Sequence, residues 1–245
     1  MALDRRRFSI PARELLRAVP AWECHLHTDM TDGSATIEAC ARKACDLGLT
    51  RIIFTEHTEG WKSSRRNWFD AYLVAVRKTA EAYAGRMEIV AGIEAPALDF
   101  NHTLDLGGAV QADIPFILGA AHRYPGLNGR RVKELSPAEC IELEYKTLLS
   151  LARNPMISSI AHLGGTCRRY CSEFPDDLTA KVIRTARDNG IAIELNSRYH
   201  VPLSPILSIC LQENAHVTIG SDAHSLNEIG TGCAAVATAL EELNG

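Results

Sequence analysis

The chain has 245 residues, 46% of them hydrophobic and 23% charged, which is enough apolar material for one substantial core with no need to divide it. A formal net charge of −4 excludes the strongly basic balance of a dedicated nucleic-acid binder, so an anionic substrate has to be met by local positive charge. The eight cysteines include no CxxC pair, which sets aside a zinc ribbon or a redox motif and reads as reduced thiols in the cytoplasm.

Residues 1–20 open on charged residues and continue through Phe8-Ser-Ile-Pro11 into a polar stretch, without the apolar core of a signal peptide. They are expected to form a helical extension packed on the remainder, 21–245. No apolar run approaches the roughly 20 residues that a membrane span requires, so a soluble protein with no membrane partner is expected. Oligomeric state leaves no mark in the sequence.

Short apolar runs ending in polar chemistry recur at Ala21–His27, Arg51–His57, Glu88–Glu94, Phe116–His122, Ser158–His162, Ala192–Asn196 and Val217–Asp222. Segments of helical period lie between most of them: Thr36–Leu47, Trp68–Tyr83, Pro137–Ala152, Leu178–Asn189, Pro205–Glu213 and Ile229–Leu243. Strand followed by helix, repeated, predicts a parallel sheet. Ser136, Pro137 and Glu139 form a capping box with proline at the first helical position, and Gly48 and Gly190 close helices. Between Pro96 and Pro115 the alternation fails, and a loop or hairpin containing Gly107-Gly108 is expected instead of a helix. Because every run carries its polar residues at its C-terminal end, a closed barrel with one active rim fits better than an open sheet with one switch point. The prediction is an α/β fold of one domain, an irregular seven-stranded (β/α)7 barrel.

His25 and His27 flank Leu26, and the period of two along a strand turns both imidazoles to one face while Cys24 and Leu26 face the helices. The other strand ends supply Glu56-His57, Glu94, His122, His162 and Asp222-Ala-His224, so six of the nine histidines sit at such ends. Neutral imidazoles mixed with carboxylates suit zinc, manganese or iron better than calcium. None of the cysteines is placed as ligand or nucleophile. Arg123, Arg168, Arg169 and Arg198 follow strand ends and could hold phosphate oxygens, with Arg65 and Arg66 as further reach from the second loop. His200 could touch substrate or protonate a leaving group. Glu194 is read as a buttress behind a ligand, His216 as lying on the opposite face, and His102 as a loop residue. Trp61 and Trp68 could wall the pocket, with packing as their ordinary use.

Together, His25-Leu-His27-Thr with Asp32-Gly33, Thr55-Glu-His57, Gly92-Ile-Glu94-Ala, His122, His162, Glu194-Leu-Asn196 and Gly220-Ser-Asp222-Ala-His224 resemble the polymerase-and-histidinol-phosphatase (PHP) family of metal-dependent phosphoesterases. The resemblance runs from about Trp22 to Gly230 and implies a distorted seven-stranded barrel. It implies one metal on His25, His27 and Asp222, a second on His122 and His162, Glu94 bridging the two, and a third on Asp32, His57 and His224. Glu56 stands where the family usually has aspartate and is read as structural. Two to three divalent ions over so few carboxylates would leave a net charge up to about +3, suited to a phosphate monoester attacked in line by a metal-bridging hydroxide, with Glu94 and Asp222 as the catalytic carboxylates.

The implied function is a phosphatase acting on a small phosphorylated metabolite: a histidinol-phosphate-like ester, a nucleotide or a sugar phosphate. An amidohydrolase barrel is the nearest rival, disfavoured by Glu94 at the bridging position and by the absence of a strand-end lysine. A phosphodiesterase or nuclease, or a metal-binding module without catalysis, are further alternatives. The net charge disfavours a nucleic-acid partner.

Overall fold

A computed structural model describes residues 5–59, 68–107, 113–171 and 173–245. Trp61, Arg65, Arg66 and Gly108 lie outside these segments. Strand β1 (Ile10–Pro11) is followed by β2 (Trp22–Leu26), α1 (Ile37–Asp46), β3 (Arg51–His57), α2 (Trp68–Ala82), β4 (Glu88–Pro96) and β5 (Phe116–Ala120). Then come α3 (Pro137–Leu151), β6 (Ser159–Ile160), α4 (Gly165–Tyr170), α5 (Asp176–Asp188), β7 (Ala192–Asn196), α6 (Ser204–Glu213), β8 (His216–Gly220) and α7 (Thr231–Asn244).

β2 to β8 are parallel and pair in sequence order, so the seven strands expected from the apolar runs form one curled sheet. The sheet closes at its rim, where Leu26 bridges Ala223 and the His27 N–H donates to the Ala223 carbonyl at 2.8 Å. The result is the distorted barrel of the expectation, with β6 reduced to two residues. No described helix is long and apolar enough to cross a membrane.

Two departures have physical causes. The extension contributes 3-10 turns at Arg5–Phe8 and Ala12–Leu16 and the short β1, which pairs antiparallel with β8. Phe8 enters the barrel's N-terminal mouth and meets Phe116 edge-on at 5.6 Å between ring centres. Second, the β2–β3 register slips between Glu23 and Leu26. This bulge puts one extra residue on β2, so Cys24 and His25 both reach the interior where strict alternation would separate them. Cys24 therefore packs with Ile53, Val90, Phe116 and Leu118 and not against the helices, which corrects the expectation; it remains a packing residue.

The Ser136–Glu139 capping box forms as expected, and Gly48 and Gly190 take left-handed backbone at helix ends. Between β4 and β5 the described residues form no α-helix, and an antiparallel bridge joins Ala97 to Leu104. The six-residue α4 was not expected. It is anchored by Glu144 of α3, whose carboxylate accepts from the Tyr124 hydroxyl and, at 3.0 Å, from the Cys167 N–H.

Phe8→Ala is expected to cost about 3–5 kcal/mol in denaturant unfolding, because it opens a cavity at the end of the inner core. Burial lifts the Glu144 carboxyl from 4.5 to about 7, outweighing the hydrogen bonds from Tyr124 and Cys167 that lower it. Between those values the folded chain keeps a proton that the unfolded chain has released. The stability tied to this proton is complete below pH 4.5 and is lost as pH rises through about 7. Glu144→Gln, uncharged throughout, should lose on the order of 3 kcal/mol less than the native chain across that interval, measured by urea titration. Superimposable pH profiles for the two proteins would refute this.

Candidate metal centre

The expected ligands converge because parallel register aligns the strand ends. β3 and β4 pair without slip from Arg51–Glu88 to His57–Glu94, which sets His57 beside Glu94. The His57 Nδ1 lies 3.0 Å from one Glu94 oxygen, while His122 Nε2 and His162 Nε2 lie 2.9 Å and 3.0 Å from the other. His25 Nε2 and His27 Nε2 stand 3.1 Å apart, each within 3.3 Å of Asp222 Oδ1. Asp32 Oδ1 lies 3.3 Å from His57 Nε2 and 3.4 Å from His224 Nε2. His162 and Asp222 hold positive φ angles, a conformation costly for residues with side chains and typical of sites that need an exact aim.

Three of the imidazoles have their tautomer set from behind. His25 Nδ1 donates to Glu194 at 2.7 Å, His122 Nδ1 to Glu59 at 3.1 Å, and His224 Nδ1 to the Asp222 carbonyl at 2.9 Å. A neutral ring that donates through Nδ1 presents a lone pair at Nε2. Those lone pairs face the carboxylates of Glu94, Asp222 and Asp32, an arrangement that is repulsive until positive charge lies between them. This is the pattern of metal-binding histidines oriented by carboxylates, so the donor set fits divalent cations.

Among the described residues, three groups of potential ligand atoms are compact enough to hold an ion: His27, Asp32, His57 and His224; His25, His27 and Glu94; and His57, Glu94 and His122. The first contains the expected third site and adds His27. The third joins His57 to Glu94 and His122, while His162 approaches Glu94 from outside the group.

The electrostatics tell the same story. Burial alone would raise the Glu94 carboxyl, but His122, His25 and His57 hold it well below the carboxylate range. Burial also opposes charge on His122, yet Glu94 and Glu59 lift it to about 10. His27, buried beside His57, is pushed down to about 3. The centre demands cations, as protons or as metal.

Other expectations resolve as follows. Glu194 buttresses His25 and also accepts the His162 N–H at 2.7 Å, as expected. Gly220 makes this possible, since a Cβ there would lie 2.2 Å from the Glu194 oxygen and 2.7 Å from the His25 Cβ. Glu56 accepts from the Thr28 N–H at 2.9 Å and from the Thr31 hydroxyl, holding the turn that carries Asp32. His216 lies at the start of β8 on the far face, next to Ser9. His102 hydrogen-bonds Ser150, and Trp68 packs on Phe69 and Tyr72.

A cleft of about 440 Å³ opens over the cluster, walled by Arg123, Arg169, Arg198 and Tyr199. Arg198 donates to the Asp222 carbonyl at 3.0 Å, and Arg169 to the Tyr199 hydroxyl at 3.3 Å. Two expectations fail. Arg168 does not line the cleft and pairs with Glu173 at 2.9 Å, because adjacent helical residues project in different directions. His200 is buried with both ring nitrogens engaged, one accepting the Asn196 N–H and the other donating to the Leu163 carbonyl, so it supports the loop and cannot serve a leaving group. Glu59 and Tyr199 were missed. Glu59 follows the second expected ligand run by two residues, a signal that was present in Thr55-Glu-His-Thr-Glu59; Tyr199, whose ring lies 4.6 Å from that of His162, left none.

The PHP domain model matches residues 23–198, most of the chain. The chain belongs to the PHP domain family. This PHP-domain protein is 25% identical over 217 residues to a protein of Acetivibrio thermocellus named a probable phosphatase, covering 85% of this chain and 81% of that one. It is likewise 25% identical over 232 residues to a probable phosphatase of Caldanaerobacter subterraneus, covering 91% and 83%. The fold matches that of histidinol phosphate phosphatase from Lactococcus lactis, solved with zinc, L-histidinol and phosphate, with a TM-score of 0.73, 17% identity and coverage of 90% and 92%.

Glu59→Gln and Glu194→Gln are each expected to weaken metal binding about 10- to 100-fold, measured by chelator competition, because each removes the carboxylate that orients one imidazole. Affinity unchanged in both variants would contradict the assignment.

Proposed function

We propose that this PHP-family phosphoesterase hydrolyses a small phosphomonoester over two to three divalent ions of zinc, manganese or iron. His25, His27, Asp32, His57, Glu94, His122, His162, Asp222 and His224 would hold the ions. Bound there, such ions would acidify water and neutralise charge on the phosphoryl oxygens. The observation that carries the reading is the set of Nε2 lone pairs aimed at carboxylates beneath a cleft walled by arginines.

The chain's own groups divide the remaining work. Glu94, central and buried, keeps its charge and is the carboxylate shared among five imidazoles. Asp222 turns one oxygen to His25 and His27 and holds the other 3.9 Å from Arg198 Nε, which ties the guanidinium to the cluster. Arg198, Arg169 and Arg123 wall the cleft and would grip phosphate oxygens by charge-assisted hydrogen bonds. The names of the two bacterial relatives, and the phosphate and zinc of the Lactococcus structure, support a phosphomonoester as substrate.

Phosphate release over a metabolite panel, with protein loaded separately with manganese and zinc, tests the proposal. Chelation should abolish release, and Glu94→Gln should lower turnover at least about a hundredfold, the scale of lost electrostatic preorganisation. Arg198→Ala should raise KM while metal content stays constant. Near-native turnover and full metal content in Glu94→Gln would sink the mechanism.

A further inference from the structure

Next to the cleft, and sharing Arg123 and Tyr170 with it, lies a larger pocket of about 710 Å³. Tyr124, Leu127 and Val132 give it apolar surface, while Arg130, Arg131 and Lys133 bring positive charge. Arg130 pairs with Glu139 at 2.8 Å and Arg131 with Glu134 at 2.7 Å. Arg130, Arg131 and Lys133 against those two carboxylates leave a local charge of +1. Both ion pairs are solvent-exposed and therefore weak, so an incoming anion can share their guanidinium groups at little cost.

On the other side of Arg123, a smaller hollow of about 240 Å³ presents Glu59 and Asp105. It is the alternative seat for a leaving group, and a cationic one would choose it. Its main charge is already committed, however, because the Glu59 oxygens lie 3.1 Å from His122 and 3.5 Å from His57. The basic pocket is also of a size that holds whole small ligands, whereas a phosphoryl group alone needs only the cleft.

We propose that the basic pocket receives the leaving-group end of the substrate and selects esters that carry a second anionic group, a further phosphate or a carboxylate. The inference rests on the phosphomonoester reading of the cleft and deepens it. Arg123 and Tyr170 form the shared wall, so the scissile phosphate sits over the cluster while the second anion reaches Arg130, Arg131 and Lys133. Guanidinium groups match phosphate and carboxylate oxygens in pairs, and the apolar patch accommodates the scaffold between the two anions. A leaving group bearing an amine, such as the L-histidinol of the Lactococcus structure, meets like charge here.

The test compares the metal-loaded chain on a sugar bisphosphate, the matching monophosphate and an aminoalkyl phosphate. The bisphosphate should lead the monophosphate by at least about tenfold in kcat/KM, as one or two charged hydrogen bonds would give. Arg131→Glu and Lys133→Glu, both at exposed positions, should each cut that ratio severalfold or more. Calorimetric binding of the corresponding bisphosphonate should weaken in parallel, a readout independent of turnover. Equal rates on bisphosphate and monophosphate, or a preference for the aminoalkyl ester, would overturn the pocket's assignment while leaving the phosphatase reading intact. No phosphate release from any of the three would overturn the phosphatase reading and the inference with it.

Discussion

The buried carboxylate of Glu94 is the group around which the rim is organised. Five imidazoles from four strand ends lie within 3.6 Å of it, and burial would neutralise it if those rings did not surround it. Charge at this depth persists only where opposite charge is supplied, so the barrel's interior is built to import cations. The regular β3–β4 register, the bulge in β2 and the closure at Ala223 all act on where the neighbouring rings stand relative to this one side chain.

A layer of acidic residues behind the ligands gives the centre its rigidity. Glu194 and Glu59 set the hydrogen-bonding state of His25 and His122, and Glu56 holds the turn that delivers Asp32. Glu23 works in the same way at the seam, accepting from the Ser221 N–H at 2.9 Å and the Gly230 N–H at 3.0 Å, so that the segment carrying Asp222 is tied to β2. Of these carboxylates only Glu59 also lines the cleft, yet each restricts an element that carries a cluster residue. Such support is what keeps ligand geometry within the tolerance that metal chemistry needs.

The two ends of the barrel are specialised in opposite senses. The N-terminal mouth is filled by Phe8 and serves stability; the C-terminal mouth stays open and polar. Between the rim and the helices, α4 sets the boundary of the cleft. Its Arg169 and Tyr170 face the cleft while Arg168 turns outward, and Glu144 anchors its first turn from below. The loop after β5 then separates a basic pocket from an acidic hollow on either side of Arg123.

Much of this was legible in the sequence because its causes are local. Seven apolar runs alternating with helical periods specify parallel strands, and polar residues at every C-terminal end specify a shared rim. The period of two turns His25 and His27 to one face, and the full set of expected ligands came from the resemblance of the motifs to the PHP family. What tertiary structure decided are relations between residues remote in the chain. Glu194 reaches His25 across 169 positions and Glu59 reaches His122 across 63, distances over which no periodic rule operates. The bulge that turns Cys24 inward, the outward swing of Arg168 and the enclosure of His200 follow from register and packing. Local pattern determines which face a side chain seeks; only the closed barrel determines what it finds there.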